Sequence, residues 1–144
     1  MIYLQKNLFL ILIPVCSTCF AQSEKTIDSL TTKYQTCLDE GKNMLDCSKL
    51  FYRQMDSMLN VVYFKQYSKL DSAHKIQLRN EQRLWLKSRD LFFKKTLNRF
   101  KQKNPGISPV GNASGAEDDA MIMLDENAEF VKERIILLLK ISFN

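Results

Sequence analysis

Residues 78–93 read LRNEQRLWLKSRDLFF, and the reading of this stretch decides the fold. Leu78, Gln82, Trp85, Arg89 and Phe92 recur at spacings of four and three, so one stripe of a helix carries three large apolar groups with an amide and a guanidinium between them. A plain core stripe has no place for Gln and Arg. Either both side chains reach polar partners on a neighbouring helix, or the stripe is a half-exposed face along which long stems lie. The first alternative is the expectation.

The helix around this stretch spans about 73–103, because Leu86, Phe93, Leu97 and Phe100 add a second apolar stripe. A face that wide serves more than one neighbour, which makes this helix the expected centre of a bundle. Upstream, Ile27, Leu30, Tyr34, Cys37 and Leu38 share one side of a helix over 23–40, and Gly41 suits the left-handed residue that ends it. Asn43 is then placed to cap a second helix over about 44–70. Its buried side is Phe51, Met55, Leu59, Val62, Tyr63 and Leu70, beside a polar and aromatic line of Asp56, Asn60, Tyr63 and Tyr67. Ser72 is the expected cap of the third helix.

Downstream, residues 104–116 hold two of the three prolines and three of the four glycines, which marks one clear loop. Ser114 and Glu117 have the spacing of a capping box, and Glu117, Asp118 and Asp119 lie where a helix dipole favours negative charge. Met121, Leu124, Ala128, Val131, Ile135 and Leu138 then alternate by three and four, the narrow seam of a fourth helix over 117–142. Ile136, Leu137 and Leu139 broaden that seam into a buried last turn or a sticky surface. No strand-like alternation of useful length occurs. The expected fold is all-α, a small bundle of about four helices.

Residues 1–21 read as an export leader. Lys6 precedes an apolar run over 8–15, and Cys19-Phe20-Ala21 ends in a small residue, so cleavage is expected after Ala21. The run is far shorter than the roughly 20 residues needed to cross a bilayer. Cys16 and Cys19 leave lipid attachment as an alternative, for which Val15 and Thr18 are poor flanking residues. The expected location is periplasmic or extracellular. Residues 22–144 then keep two cysteines, Cys37 and Cys47, and an even count in an exported protein suggests a disulfide. Two buried thiols are the alternative, disfavoured in an oxidising compartment. A bridge from the last turn of the first helix to the first turn of the second closes a helical hairpin and stabilises it by about 2 to 3 kcal/mol.

Without Lys6 the chain carries 20 basic and 16 acidic side chains, unevenly distributed. Residues 65–103 hold 12 basic and 3 acidic groups, whereas residues 111–144 hold 3 basic and 7 acidic. Packed side by side, the two regions complement each other. So long a basic run would suggest nucleic acid in a cytoplasmic protein. The leader and the lack of an aromatic-interleaved motif argue against that partner. Contact of the basic third helix with anionic lipid is a weaker alternative.

Catalytic chemistry finds little support. His74 stands at a helix start with no nearby cysteine or paired carboxylate, and reads as a solvated helix-end residue. The disulfide takes both cysteines, so no nucleophile with a base is visible, nor is a Gly-x-Ser-x-Gly setting or a Gly-rich phosphate loop. No metal-site cysteine spacing survives removal of the leader, and no acidic pair is singled out for glycoside hydrolysis. No catalytic residue, metal or cofactor is expected. Asn112-Ala113-Ser114 matches a glycosylation acceptor, a tripeptide that arises often by chance.

The polar residues inside apolar stripes need another explanation. Asp56, Asn60, Gln82, Arg89 and Asp90 are expected to form a network between the second and third helices, with Arg89 held by a carboxylate and Asn60 matched to Gln82. A buried guanidinium without a partner is very costly, so Arg89→Ala is expected to loosen the fold.

These residues also carry a resemblance. Asp56, Leu59, Asn60 and Tyr63 form Asp-x-x-Leu-Asn-x-x-Tyr, and Gln82, Trp85, Arg89 and Asp90 form Gln-x-x-Trp-x-x-x-Arg-Asp, both downstream of Cys37-Leu-Asp-Glu and Cys47. Over about residues 34–95 the chain resembles the lysozyme-inhibitor LprI family of bacterial exported proteins, and Arg134 with Leu137 and Leu138 weakly matches the family's final helix. The resemblance implies a helical binding module whose protein partner is lysozyme. Phe93 stands where many members carry a further cysteine, and the last helix lacks its partner, so the resemblance supports one disulfide. The segment between Cys37 and Cys47 is short for the family. A chain at +4 is repelled at long range by cationic lysozymes. A local fit then falls to the acidic charge of residues 117–126 or to a basic side chain entering an acidic cleft. The competing reading is a structural envelope module that self-associates through residues 135–141.

Overall fold

The computed structural model describes residues 18–110 and 113–141. The leader run with Cys16, and the acceptor residue Asn112, lie outside the described residues. Four helices follow one another: α1 (Thr18–Asp39), α2 (Met44–Ser68), α3 (Ser72–Lys103) and α4 (Glu117–Lys140). The all-α bundle expected from the periodicity is therefore the fold. α1 begins five residues before its expected start, so its first turns take in the residues around the expected cleavage point. Among the described residues, no helix is long and apolar enough to cross a membrane.

The chain turns sharply between α1 and α2. Gly41 adopts φ 66° and its N–H donates to the Leu38 carbonyl at 2.9 Å. Without a Cβ it takes this left-handed conformation at no steric cost. Cys37 and Cys47 meet across the turn in a disulfide with Cα atoms 6.0 Å apart, closing the hairpin as expected.

Three of the expected caps are corrected. Asn43 does stand at the start of α2, but in left-handed backbone (φ 52°) with no capping hydrogen bond from its side chain. At α3 the cap is Asp71, not Ser72: its carboxylate accepts from the His74 backbone N–H at 2.9 Å and faces His74 Nδ1 at 2.8 Å. The backbone bond, then the ring contact, hold the Asp71 carboxyl below the usual carboxylate range. At α4 the capping box does not form. The cap position is Ala116, and Glu117 folds back to accept from the Gly115 N–H at 2.8 Å.

The larger correction concerns the centre of the bundle. α4 packs against all three other helices, most extensively against α2, whereas the α2 and α3 backbones stay apart and meet through side chains such as Arg79 with Tyr67 and Phe93 with Tyr52. The reason is steric: Ala120 and Ala128 on α4 are fully buried and let neighbouring backbones approach closely. The main core gathers Phe51, Met55 and Val62 of α2, Leu78 of α3, and Val131, Ile135 and Leu138 of α4, with Ile27 from α1. A second cluster joins Phe100 to Met123 and Leu124, and the loop covers it through Ala113 and Ala116. α3 is thus an outrigger fastened along one side of α4. The complementary charges meet there, as Arg99 pairs with Glu126 and Lys103 with Asp119.

Candidate functional site: a groove between the second and third helices

Since α4 lies beneath α2 and α3 and holds them apart, a groove of about 320 Å³ opens between them. One wall is the α2 stripe of Asp56, Leu59, Asn60, Tyr63 and Phe64. The other is the α3 stripe of Arg79, Gln82, Arg83, Leu86 and Arg89. Each stripe follows the spacing of one helix face, so the first motif lies along one wall and Gln82 and Arg89 of the second lie along the other, while Trp85 and Asp90 do not line the groove. Leu59, 4% exposed, and Gln82, 9% exposed, form the floor.

Gln82 and Arg89 have opposite fates. Gln82 Oε1 accepts from Arg134 Nε of α4 at 3.0 Å, so the amide does reach a neighbouring helix. Arg89 instead donates through Nε (3.1 Å) and Nη2 (2.8 Å) to the adjacent Asp90. Its guanidinium lies 5.8 Å from the centre of the Trp85 ring and 5.7 Å from that of Phe93. Asn60 turns back onto its own helix and donates to the Asp56 carbonyl at 3.1 Å. The network expected between α2 and α3 is therefore not the arrangement found. Asn60 and Arg89 each find a nearer partner on their own helix. α2 and α3 do touch where Arg79 reaches Tyr67 and Phe93 meets Tyr52 edge-on at 5.9 Å, and the guanidinium with a buried nitrogen belongs to Arg134. Burial holds the Arg134 guanidinium below its ordinary pKa, against the opposing charge of Glu81. Its Nη2 is buried with no hydrogen-bond partner among the described residues.

The aromatic line of α2 lies along the groove. Tyr63 stacks on Tyr67 at 5.8 Å and meets Phe64 edge-on at 5.5 Å. Arg79 Nη2 donates to the Tyr67 hydroxyl at 2.7 Å, and Lys75 lies over the same ring. On α3, Trp85 and Phe92 both stack on Phe130 of α4, at 5.8 and 4.6 Å. Trp85 is thus a fastener of α3 to α4. Burial raises the Tyr52 phenol above its usual pKa; Asp56 adds to the shift and Arg89 opposes it, so both charges reach the same ring near one end of the groove.

Other polar contacts escape a reading of the stripes. Tyr34 of α1 donates to Asp125 of α4 at 2.6 Å and lies 3.0 Å from the Ser48 hydroxyl of α2, tying three helices at one point. Burial, then the bond to Asp125, pushes the Tyr34 phenol up to about 12. Burial likewise raises the Asp125 carboxyl, against the hydrogen bonds from Tyr34 and Ser48. Thr96 donates to Asn127 at 2.9 Å in a buried α3–α4 contact, and Gln66 donates to the Leu138 carbonyl at 3.0 Å. The signal was present in Asp125 and Asn127, polar residues beside the α4 seam.

The acids of α4 are largely taken. Asp119 accepts from Lys103 (2.9 Å) and Asn104 (3.0 Å), Glu126 pairs with Arg99, and Glu129 with Lys132. Between residues 117 and 126 the exposed acidic residues are Glu117 and Asp118 of the first turn, and Glu117 accepts from the Gly115 N–H. Among the described residues, no cluster of three or more His, Cys, Asp or Glu side chains could hold a metal ion.

Fold and groove together define the class: a small, disulfide-closed helical bundle that presents an open groove between two helices fastened to a third. The family model described as lysozyme inhibitor LprI matches residues 33–136, and the chain belongs to that family. The match spans both groove walls and most of α4. No curated protein and no solved structure matches the chain.

Proposed function

We propose that this protein is an exported, non-enzymatic binding protein that inhibits lysozyme in the cell envelope. The observation that carries the reading is the family match over residues 33–136, which includes both walls of the groove and the helix beneath it. The disulfide supports export, since such bridges persist in oxidising compartments. Because Asp119, Glu126 and Glu129 are occupied within the bundle, the acidic charge of α4 is a poor contact surface, and the groove is the better one.

The competing reading, self-association through residues 135–141, loses most of its surface. Ile135, Leu138 and Leu139 are buried within the bundle, leaving Leu137 as the exposed apolar side chain of that turn. The test is to titrate the oxidised chain from Gln22 onward into lysozymes of several types while following lysis of a cell-wall suspension. Inhibition that saturates near one equivalent supports the reading. A folded, oxidised protein that leaves every enzyme at its full rate removes it.

A further inference from the structure

We propose that the α2–α3 groove binds a carboxylate-bearing peptide segment of a protein partner, with Arg83 as its principal anion contact. This rests on the binding reading above and adds the chemistry of what is bound. The charge of the lining is the first argument: three guanidinium groups, Arg79, Arg83 and Arg89, against the carboxylate of Asp56 in the lining and that of Asp90 paired with Arg89.

The state of each arginine is the second. Arg79 is held by the Tyr67 hydroxyl, and Arg89 by Asp90 and two aromatic rings. Both are oriented before any ligand arrives, so little side-chain entropy remains to be lost on binding. Arg83 lies between them, exposed, with no ion pair or hydrogen bond among the described residues. Its fork is open to a bidentate carboxylate.

Shape is the third argument. From Arg79 to Arg89 the α3 wall rises about 15 Å, the length of about four or five extended residues. Phe64, 64% exposed, and the partly buried Leu86 offer apolar contact on the two walls. A recessed trough with apolar sides suits a peptide. A flat lipid surface would instead meet the outer face of α3, where Lys94 and Lys95 flank Leu91.

The experiment uses the oxidised protein and a capped tetraglutamate peptide, with the tetraglutamine peptide as control. Arginine Nε–H resonances report the site, and fluorescence of the sole tryptophan, Trp85, reports affinity. Tetraglutamate should shift Arg79, Arg83 and Arg89 while tetraglutamine does not. Arg83→Gln, an exposed change that leaves packing intact, should weaken binding about tenfold. Lys95→Gln on the outer face should change it less than twofold.

Equal losses in the two variants overturn the proposal, as does equal binding of tetraglutamine. Inorganic phosphate that shifts the same resonances as strongly reduces the groove to an adventitious ion site only. Binding to phosphatidylglycerol vesicles that Arg83→Gln abolishes, without peptide binding, assigns the groove to lipid. Lysozyme inhibition undiminished by Arg83→Gln sinks the groove proposal and leaves the inhibitor reading standing. Arg83-dependent capture of tetraglutamate with no lysozyme inhibited does the reverse.

Discussion

The seam along α4 and the groove between α2 and α3 use the same kinds of polar residue for opposite ends. In the seam, Asn127, Asp125 and Arg134 each bond to a side chain on another helix. On the groove walls, Asn60 and Arg89 bond within their own helices. A polar residue in an apolar stripe is therefore either a fastener or part of a surface, and its type does not say which. What decides is which partner lies within reach: Gln82 at the groove floor meets Arg134 of α4 and Arg79 meets Tyr67 of α2, whereas Asn60 and Arg89 turn to their own helix.

The largest expected effect breaks or upholds that contrast directly. Leu138 of α4 is 0% exposed and Leu84 on the outward side of α3 is 64% exposed. Leu138→Ala should cost about 3 kcal/mol, within the range of about 2 to 5 for buried leucines. Leu84→Ala should change stability by no more than about 0.5 kcal/mol. Urea unfolding followed by circular dichroism measures both, and equal losses would show that α3 is packed on both sides.

The four helices were legible because each has a buried stripe of helical period, and the hairpin disulfide because its cysteines flank one glycine-containing turn. The identity of the central helix was not. α3 carries the more conspicuous apolar and aromatic residues, yet bulk is a poor guide to centrality. The small residues Ala120 and Ala128 make α4 the hub, by allowing close approach on several sides. The groove was half legible. The stripes single out Asp56, Asn60, Gln82 and Arg89 as a group but not Arg79, Arg83 or Phe64, and they pair Asn60 with Gln82 although each bonds elsewhere. That error follows from stripe position alone, which gives direction without distance.

A smaller effect separates buried from surface hydrogen bonds. Thr96→Val keeps the shape of the side chain but removes the donor to Asn127, leaving a buried amide oxygen unsatisfied. The expected loss is about 1 to 2 kcal/mol. Asn60→Ala in the groove removes only a bond to its own helix and should stay within about 0.5 kcal/mol. A larger loss for Asn60→Ala would mean that the groove wall is a fastener after all.

Arg89→Ala comes next. With its guanidinium on the neighbouring Asp90 and the faces of two rings, Arg89 should contribute less than about 1 kcal/mol. This reverses the expectation drawn from the stripe, where Arg89 was the buried charge. A thermal midpoint lowered by many degrees would restore it.

The subtlest test lies within α4, where two carboxylates shift in opposite directions. Asp119 is held below the usual carboxylate range by the hydrogen bonds from Lys103 and Asn104. A depressed folded pKa adds stability above the unfolded value near 3.8, and that addition is lost as pH falls through the folded pKa. Asp119→Asn should therefore be less stable than wild type at pH 7, with the gap closing below pH 3.8. Asp125 is raised by burial despite its bond from Tyr34. Its favourable contribution is complete below 3.8 and is lost as pH rises through the folded pKa. Asp125→Asn, whose amide oxygen can still accept from Tyr34, should gain on wild type as pH rises from 3.8. Urea midpoints between pH 3 and pH 7 measure both slopes. Parallel slopes would show that Asp125 is solvated as Asp119 is, and that the point where α1, α2 and α4 meet is open to water.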